Sequence, residues 1–378
     1  MEVSDLKNNS GQNQAKKYNK ILLQLKLIGL FLSIVFLLIL IFSNGSLSLR
    51  QVIENINSNS WFVVGGYLIV FFLATEALSF PLAYFRGYLV EHRFELSTQK
   101  FNDWLKDWIK GIVVNLILGL FIGEIFYFIL RTYPEWWWLI SAGVFSLIFI
   151  ILTNLAPVVL MPIFFKFKPL EKEELKQRLL TLTEETRIKV RGVYEMDLSR
   201  KSKTANAGLT GLGNTRRIIL SDTLLEKFSN EEIESVFAHE LGHHQGRHIW
   251  RLIAFQSLTT VIAFFVAYQI LNHTISYLPF RNVSDVAAFP LLLLIIFLIS
   301  LIFLPLANAY SRKLEKRADY FALIQTDHPE NFISALEKLA KLNLADKNPH
   351  PLIEFLFYSH PSIRKRMRYA SEFLNSKF

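Results

Sequence analysis

The sequence contains no cysteine and is poor in charge. Of its 378 residues none is Cys, and 19% are Asp, Glu, Lys or Arg, where a soluble domain averages roughly 25%. Without cysteine the chain cannot form a disulfide, a zinc finger, an iron–sulfur cluster or a thiol nucleophile. Because 52% of the residues are hydrophobic, we do not expect a soluble protein, and the net charge of +9 does not indicate a nucleic-acid partner.

Long apolar runs account for most of the hydrophobic residues. A helix needs about 20 apolar residues to cross a bilayer, and buried helices of soluble proteins rarely contain more than about 14 in a row. Six runs are long enough, and only the third is interrupted by a charge, at Glu124; they cover 27–49, 55–75, 111–130, 136–165, 252–280 and 286–311. The sequence therefore predicts a mostly α-helical, polytopic membrane protein with six spans.

The distribution of basic residues gives an orientation. Six spans leave only short connections on one side of the membrane, and these contain Arg50, Arg131 and Arg281, 3 of the 41 Lys and Arg residues. The other 38 lie on the opposite side, which the positive-inside rule identifies as cytoplasmic. We expect five segments: a polar tail over 1–26, spans 1–4 over 27–165, a water-exposed subdomain over 166–250, spans 5–6 over 251–311, and a C-terminal subdomain over 312–378.

The water-exposed subdomain has a mixed pattern. Apolar spacing predicts a helix over 171–186, and residues 190–198 alternate as a strand does. A second strand is predicted over 216–220, after the turn-rich segment 205–214. We expect these two strands to form a small β-ribbon.

A metal-binding pattern follows this ribbon. Ser229 and Glu232 form a capping box, which predicts the start of a helix. On that helix His239 and His243 are one turn apart and face the same way, so both imidazoles can bind one zinc ion. Glu240 lies beside them, where the general base of a metalloprotease is found.

The alternative reading of this segment is a solvated, histidine-rich helix that continues through His244 and His248. A chance occurrence of the pattern is expected in roughly one such sequence in a hundred, which favours the metal site.

A third ligand is expected downstream, because a catalytic zinc usually has three protein ligands and a water. Glu315 and Asp319 are one helical turn apart just after the last apolar run. Glu315 can bind zinc, and Asp319 can orient a ligand imidazole by accepting its N–H. Taken alone, these two acids are more typical of a solvated helix face. The histidine motif upstream favours the metal site.

Several motifs together resemble the integral-membrane CAAX prenyl endopeptidases. These motifs are His239-Glu240-Leu241-Gly242-His243, Glu315 with Asp319, Ser359-His360-Pro361-Ser362, and the Asn206-Ala207 turn before Ile218-Ile219-Leu220. The resemblance implies a ring of helices around a chamber, capped by a zincin-like domain, with one Zn²⁺ per chain on His239, His243 and Glu315. The eukaryotic relatives have seven spans, and we predict six here.

The resemblance also implies roles for other residues. His360 would stabilise the oxyanion, Asn206 would lie on the strand edge that binds peptide, and Arg366 would meet a substrate carboxylate or a lipid phosphate. A structural role for His360 and a turn role for Asn206 stay open. We expect His248, like Asp319, to contact a zinc ligand.

Two acids, Glu76 and Glu124, lie within or beside apolar runs. Either they face the chamber or they extend to the membrane surface.

Three functions remain open from the sequence. The first is a zinc endopeptidase that cleaves near the C-terminus of prenylated or hydrophobic peptides, with its zinc site on the cytoplasmic side of a bacterial inner membrane or the endoplasmic reticulum. The second is a quality-control protease for membrane proteins. The third is a transporter or scaffold with structural zinc, which the catalytic Glu240 disfavours. Peptide or protein substrates and membrane lipids are the expected partners.

Overall fold

The computed structural model describes residues 2–375, and the side chains of all of these except residues 2–10 and Asn214. The described part is mostly helical, as predicted. Its α-helices are α1 Glu2–Phe42, α2 Gly45–Ile56, α3 Ser60–Tyr84, α4 Glu91–Arg93, α5 Phe101–Thr132, α6 Trp137–Leu155, α7 Met161–Phe164, α8 Glu173–Glu185, α9 Asp222–Lys227, α10 Asn230–Gln245, α11 His248–Thr274, α12 Phe289–Thr326, α13 Pro329–Leu342, α14 Pro351–Phe357 and α15 Ile363–Asn375. Its strands are β1 Phe167–Pro169, β2 Val193–Met196, β3 Ala207–Thr210 and β4 Arg217–Ser221.

Six helical segments in the described chain are long and apolar enough to cross a membrane, which confirms the predicted number. They are Gly11–Phe42, Ser60–Arg93, Phe101–Thr132, Trp137–Phe164, His248–Tyr277 and Val286–Thr326. Large apolar side chains stand on their outer surfaces, including Phe31 at 65%, Phe121 at 63% and Ile302 at 70% exposure. The hydrocarbon of a bilayer would surround such side chains, whereas their exposure to water would be unfavourable.

The first and last spans extend beyond the apolar runs that predicted them. Residues 2–26, expected as a polar tail, form the first part of α1, where Tyr18 is buried and donates its O–H to Glu91 Oε1 at 2.6 Å. At the other end, α12 continues to Thr326, 15 residues past the predicted limit at Ser311, or about 22 Å. The first charged residue ends an apolar run, but it does not end a helix that packs against protein.

The water-exposed sheet differs from the predicted ribbon. It has four strands in the order β1-β2-β4-β3, in which β2 and β4 are parallel and the other pairs are antiparallel. The strand β3 lies in the segment 205–214, which was expected to be a turn. The glycines of this segment break the alternating pattern of a strand, so the pairing of β3 with β4 was not predicted. This strand forms one edge of the sheet, beside α10.

The helices α10 and α12 cross at very close range. Gly242 lies at the crossing, where a Cβ atom would stand 3.0 Å from Ala318 Cα and 3.1 Å from Phe321 Cβ. Only a residue without a side chain fits there without a shift of one helix. This contact brings the water-exposed helix α10 against the end of the last span.

The spans enclose an apolar cavity of about 520 Å³. Its walls include Phe126 on the third span, Phe264 on the fifth and Phe289 on the sixth. Neither Glu76 nor Glu124 is among the described residues that line this cavity. Glu124 instead lies against Gly65 of α3, with a buried Oε2 that lacks a hydrogen-bond partner. The large chamber therefore stays a prediction.

Candidate active site

Three side chains from α10 and α12 converge at the membrane end of the water-exposed subdomain. The capping box of Ser229 and Glu232 forms as predicted and starts α10 at Asn230. On this helix His239 Nε2 and His243 Nε2 lie 3.2 Å apart. From α12, Glu315 places Oε2 at 3.4 Å from His239 Nε2 and Oε1 at 3.3 Å from His243 Nε2.

These distances fit a metal ion. A tetrahedral zinc with ligand bonds of about 2.0–2.1 Å separates its ligand atoms by about 3.3–3.4 Å. Two imidazole nitrogens approach to 3.2 Å only when a proton on one of them or a cation lies between them. In addition, Glu315 is buried, and its Oε2 lies 3.4 Å from His239 Nε2 and 2.7 Å from His360 Nδ1. The donor set of two imidazoles and one carboxylate is that of a catalytic zinc site.

The first ligand is fixed from behind by a buried ion pair. Asp319 Oδ1 lies 2.8 Å from His239 Nδ1, so that Nδ1–H donates to the carboxylate and Nε2 is left free. Arg366 from α15 holds Asp319 in turn, with Nε at 2.9 Å from Oδ2 and Nη2 at 2.6 Å from Oδ1. This chain of contacts orients the imidazole towards Glu315.

The electrostatics of His239 agree with a cation site. Burial alone would lower the pKa of His239, but the carboxylates of Asp319 and Glu315 beside its ring raise its pKa to about 9. Two carboxylates around one imidazole thus favour positive charge at this point.

The second ligand has a histidine behind it. His248, the first residue of α11, is buried and places Nδ1 at 3.1 Å from His243 Nδ1. One of these two nitrogens donates to the other, which fixes the plane of the His243 ring. This contact places His248 where the sequence analysis expected it.

Glu240 and Asn206 line one cavity beside the ligands. The cavity measures about 350 Å³ and includes His239, Glu240 and Arg366 on one wall and Asn206 with Ala207 on another. Glu240 therefore points to the same space that a substrate bound along β3 would enter. On α10 it follows His239 directly and precedes His243 by three residues, and it lines the cavity together with His239.

His360 approaches the site from the loop after α14. Its Nδ1 lies 2.7 Å from Glu315 Oε2, and its side chain is 59% exposed. The contact shows that His360 reaches the ligand shell, with its ring open to the cavity that Glu240 lines. The exposed Asn206 lies at the start of β3 and uses its backbone, not its side chain, to bond β4.

Two contributors to the site were not found from the sequence. Gly242 permits the close crossing of α10 and α12 that brings Glu315 to the histidines. Its position inside the histidine motif was the available signal, because glycine is unfavourable within a helix. The other is His244, whose Nε2 donates to Leu209 O at 2.8 Å and joins α10 to β3. No local pattern indicates that bond.

Known proteins match this chain over almost its whole length. A family model described as peptidase family M48 matches residues 169–373, and one described as CAAX prenyl protease N-terminal, five membrane helices, matches residues 2–166. The uncharacterized metalloprotease YhfN of Bacillus subtilis is 29% identical over 362 residues, which cover 95% of this chain and 85% of that protein.

Two yeast proteins extend these similarities. CAAX prenyl protease 1 of Saccharomyces cerevisiae is 30% identical over 315 residues, covering 77% of this chain and 69% of that protein. The crystal structure of S. mikatae Ste24p has the same fold, with a TM-score of 0.85 at 23% identity over 96% of this chain and 89% of that chain.

Proposed function

Because this chain belongs to peptidase family M48, we propose that it hydrolyses peptide bonds with one zinc ion held by His239, His243 and Glu315. The chain is a multi-pass membrane metalloendopeptidase. The identity of the metal as zinc is supported by the donor distances of 3.2–3.4 Å, which is the observation that carries the proposal.

Glu240 is proposed as the general base. When bound, zinc supplies a Lewis acid that polarises the scissile carbonyl and acidifies the attacking water. Glu240 accepts the proton of that water and later donates it to the leaving amine. Since Glu240 is not one of the three convergent donors, its carboxylate is free to carry this proton.

The remaining residues bind and orient. Asp319, held by Arg366, keeps His239 in the tautomer that presents Nε2, and His248 does the same for His243. The exposed His360 donates a hydrogen bond to the developing oxyanion. Arg366 lines the same cavity, and we propose that it also contacts bound peptide.

The edge of β3 is proposed to hold the substrate backbone. Ala207 lies on the open edge of the sheet and in the wall of the cavity that contains Glu240. An extended peptide can add to such an edge as a further strand. Asn206, at the start of this edge, would contact the peptide with its side-chain amide.

The substrates are proposed to be prenylated or otherwise hydrophobic peptides, cleaved near their C-terminus. The support is the similarity to CAAX prenyl protease 1 of Saccharomyces cerevisiae and an active site that joins the ends of two spans. Quality control of membrane proteins is the competing function, with the same chemistry on unprenylated chains.

Cleavage of paired peptides tests the function. Purified protein should cleave a farnesylated C-terminal peptide near its C-terminus, and chelator or Glu240→Gln should abolish the cleavage. Faster cleavage of the matched unprenylated peptide would favour the quality-control function. No cleavage of either peptide by metal-loaded wild-type protein would contradict the endopeptidase proposal.

The metal site is proposed to face the cytoplasm, because 38 of the 41 basic residues lie on its side of the membrane. Single cysteines can test this, since the native chain has none. Exposed positions Glu184, Lys341 and Asn282 are suitable. Glu184→Cys and Lys341→Cys should react with a membrane-impermeant reagent only from the cytoplasm, and Asn282→Cys only from the other side. Opposite labelling of the first two would exclude a shared site.

A further inference from the structure

A second cavity lies on the other side of the metal ligands. It measures about 380 Å³, and its wall includes His243 and His244 from α10, Leu212 from the loop after β3, and Arg216 and Arg247. Because His243 belongs both to this wall and to the metal site, a group bound in the cavity lies close to the reacting bond.

Among the described residues, the side chains that line this cavity include two arginines and no carboxylate. Within the described part of the chain, neither Arg216 nor Arg247 forms an ion pair. The Nε atom of Arg216 is buried without a hydrogen-bond partner. Arg247 has a left-handed backbone, with φ of 51°, which is uncommon for a residue other than glycine or asparagine. Arg216 is half-buried and Arg247 is exposed, so both can reach a bound anion, which would also give the buried Nε of Arg216 an acceptor.

The other cavity offers no such charge. Of the cations there, Arg366 is already paired with Asp319 through two hydrogen bonds, and Asp346 adds a negative group to the wall. The two cavities beside the ligands therefore differ in the charge that they accept.

The strand β3 connects the two cavities. Asn206 O accepts from Ser221 N in β4, so the alternation of an antiparallel ladder turns the backbone groups of Ala207 and Leu209 to the open edge. His244 Nε2 already occupies Leu209 O at 2.8 Å. A peptide on this edge can form hydrogen bonds with the backbone of Ala207. Because Leu209 O is already bonded to His244, the peptide must leave the edge near Leu209. From there β3 continues to Leu212, which lines the basic cavity.

We propose that this basic cavity is a subsite for a carboxylate of the substrate peptide, bound by Arg216 and Arg247; this inference rests on the proposed endopeptidase function. Antiparallel pairing is the more stable arrangement, and it places the part of the peptide N-terminal to the scissile bond at the Leu212 end of β3. At about 3.4 Å per residue, the cavity then receives an acidic side chain two to four residues before the scissile bond.

The C-terminal carboxylate of the peptide is the other source of the same chemistry. It would reach the cavity only if the peptide ran parallel to β3. An anionic lipid is a different occupant, which the position of Trp250 at the start of α11 would permit. Because the cavity shares His243 with the metal site, we assign it to the substrate.

The experiment compares peptides that differ by one charge. The cleavage site of a hydrophobic peptide without acidic side chains is first mapped by mass spectrometry. Glu or Gln is then placed at each of the four positions before that site, and each peptide is made with a free C-terminal carboxylate or an amide. The ratio of kcat/KM for the Glu and Gln members of each pair is measured for wild type, Arg216→Gln, Arg247→Gln and the control Arg251→Gln, in neutral detergent and in vesicles with and without anionic lipid.

Wild type should prefer Glu at one position by about 10- to 100-fold, mainly through KM, as expected for hydrogen bonds to a charged group. The preference should vanish in Arg216→Gln and persist in Arg251→Gln. The charge-swapped Arg216→Glu should prefer Lys at that position.

Three results would overturn the proposal. The first is an active wild type that shows no preference for Glu over Gln at any position. The second is that only the preference for a free C-terminal carboxylate over the amide depends on Arg216, and the third is that the effect of Arg216→Gln depends on anionic lipid and not on the charge of the peptide. The second result would assign the cavity to the peptide C-terminus and reverse the strand direction. If wild type cleaves none of the peptides, the endopeptidase proposal itself fails.

Discussion

Two polar clusters lie towards opposite ends of α12, and they are built in different ways. At its start, Arg50 pairs with Asp285, while Arg281 donates two hydrogen bonds to Glu54, at 2.6 and 2.9 Å. Each positive charge faces a negative one, with Arg50 Nε also 3.6 Å from Glu54 Oε2, and this set joins α2 to the loop before α12. We call these four residues the closed cluster.

The other cluster lies 26 residues further along α12, or about 39 Å from Phe289 to Glu315. Here His239 Nε2 lies 3.2 Å from His243 Nε2 and 3.4 Å from Glu315 Oε2, and His243 Nε2 lies 3.3 Å from Glu315 Oε1. Two imidazoles and one carboxylate converge on one point in this cluster, whereas in the closed cluster each positive charge faces a carboxylate. We interpret the ion pairs of the closed cluster as stabilising the fold, and we propose that the donors of His239, His243 and Glu315 bind a metal ion.

The largest effect is expected at Glu315. Glu315→Gln keeps the size of the side chain but removes the negative charge that binds the metal, so zinc should be lost and cleavage should fall by at least about 1,000-fold. Metal analysis of the purified protein and peptide cleavage measure the two effects. The exposed Glu337→Gln is the control and should retain both. Full zinc occupancy with persistent cleavage in Glu315→Gln would remove it from the ligand set.

Glu240 should separate metal binding from catalysis. Because it is not one of the convergent donors, Glu240→Gln should retain zinc and lose about 10²- to 10⁴-fold in kcat. Single-turnover cleavage by the zinc-loaded variant measures this loss, and Glu234→Gln on the same helix is the matched control. Near-normal cleavage by zinc-loaded Glu240→Gln would exclude it as the general base.

The closed cluster should respond in stability and not in chemistry. Asp285→Asn removes the nearer of the two carboxylates beside the buried Arg50, which should destabilise the protein by about 3 kcal/mol while zinc content and kcat of the folded fraction stay unchanged. Thermal unfolding in detergent measures the shift. Asp103→Asn, in an exposed pair 3.9 Å from Lys106, should have almost no effect. A loss of zinc in Asp285→Asn would mean that the clusters are coupled through α12.

Gly242 should give the smallest effect. In Gly242→Ala the new methyl group meets α12, so stability should fall by about 1–3 kcal/mol and zinc should dissociate faster as Glu315 is displaced. Zinc release to a chromogenic chelator measures the second effect. Gly143→Ala in α6, which meets nothing within 4 Å, should be neutral or slightly stabilising. Equal behaviour of the two variants would show that the crossing tolerates a side chain.

The sequence predicted the features that depend on local spacing. The length of each apolar run is enough to recognise a span, and the capping box at Ser229 and Glu232 marked the start of α10 where the structure has it. The convergence of His239, His243 and Glu315 was also predicted, from the one-turn spacing of the two histidines and the downstream carboxylate, and their role as metal ligands stays a prediction. A resemblance to a family supplied Asn206, His360 and Arg366, whose roles stay predictions.

Features that depend on tertiary contacts were missed. The residues before Lys26 have a polar composition, yet contacts such as Tyr18 to Glu91 hold them in α1. Strand β3 is recognisable only by its pairing with β4, since glycines break its pattern. The cavity around Arg216 joins residues from two loops and two helix ends, which no spacing rule connects.

X-ray absorption spectroscopy at the zinc edge, together with metal stoichiometry, tests the central claim most directly. The purified wild-type protein should contain one zinc per chain, with four or five nitrogen and oxygen neighbours at about 2.0–2.2 Å and the scattering pattern of two imidazoles. The spectrum should lose one imidazole in His243→Ala. A wild-type protein that binds no stoichiometric zinc, or a zinc without imidazole neighbours, would contradict the assignment of this site.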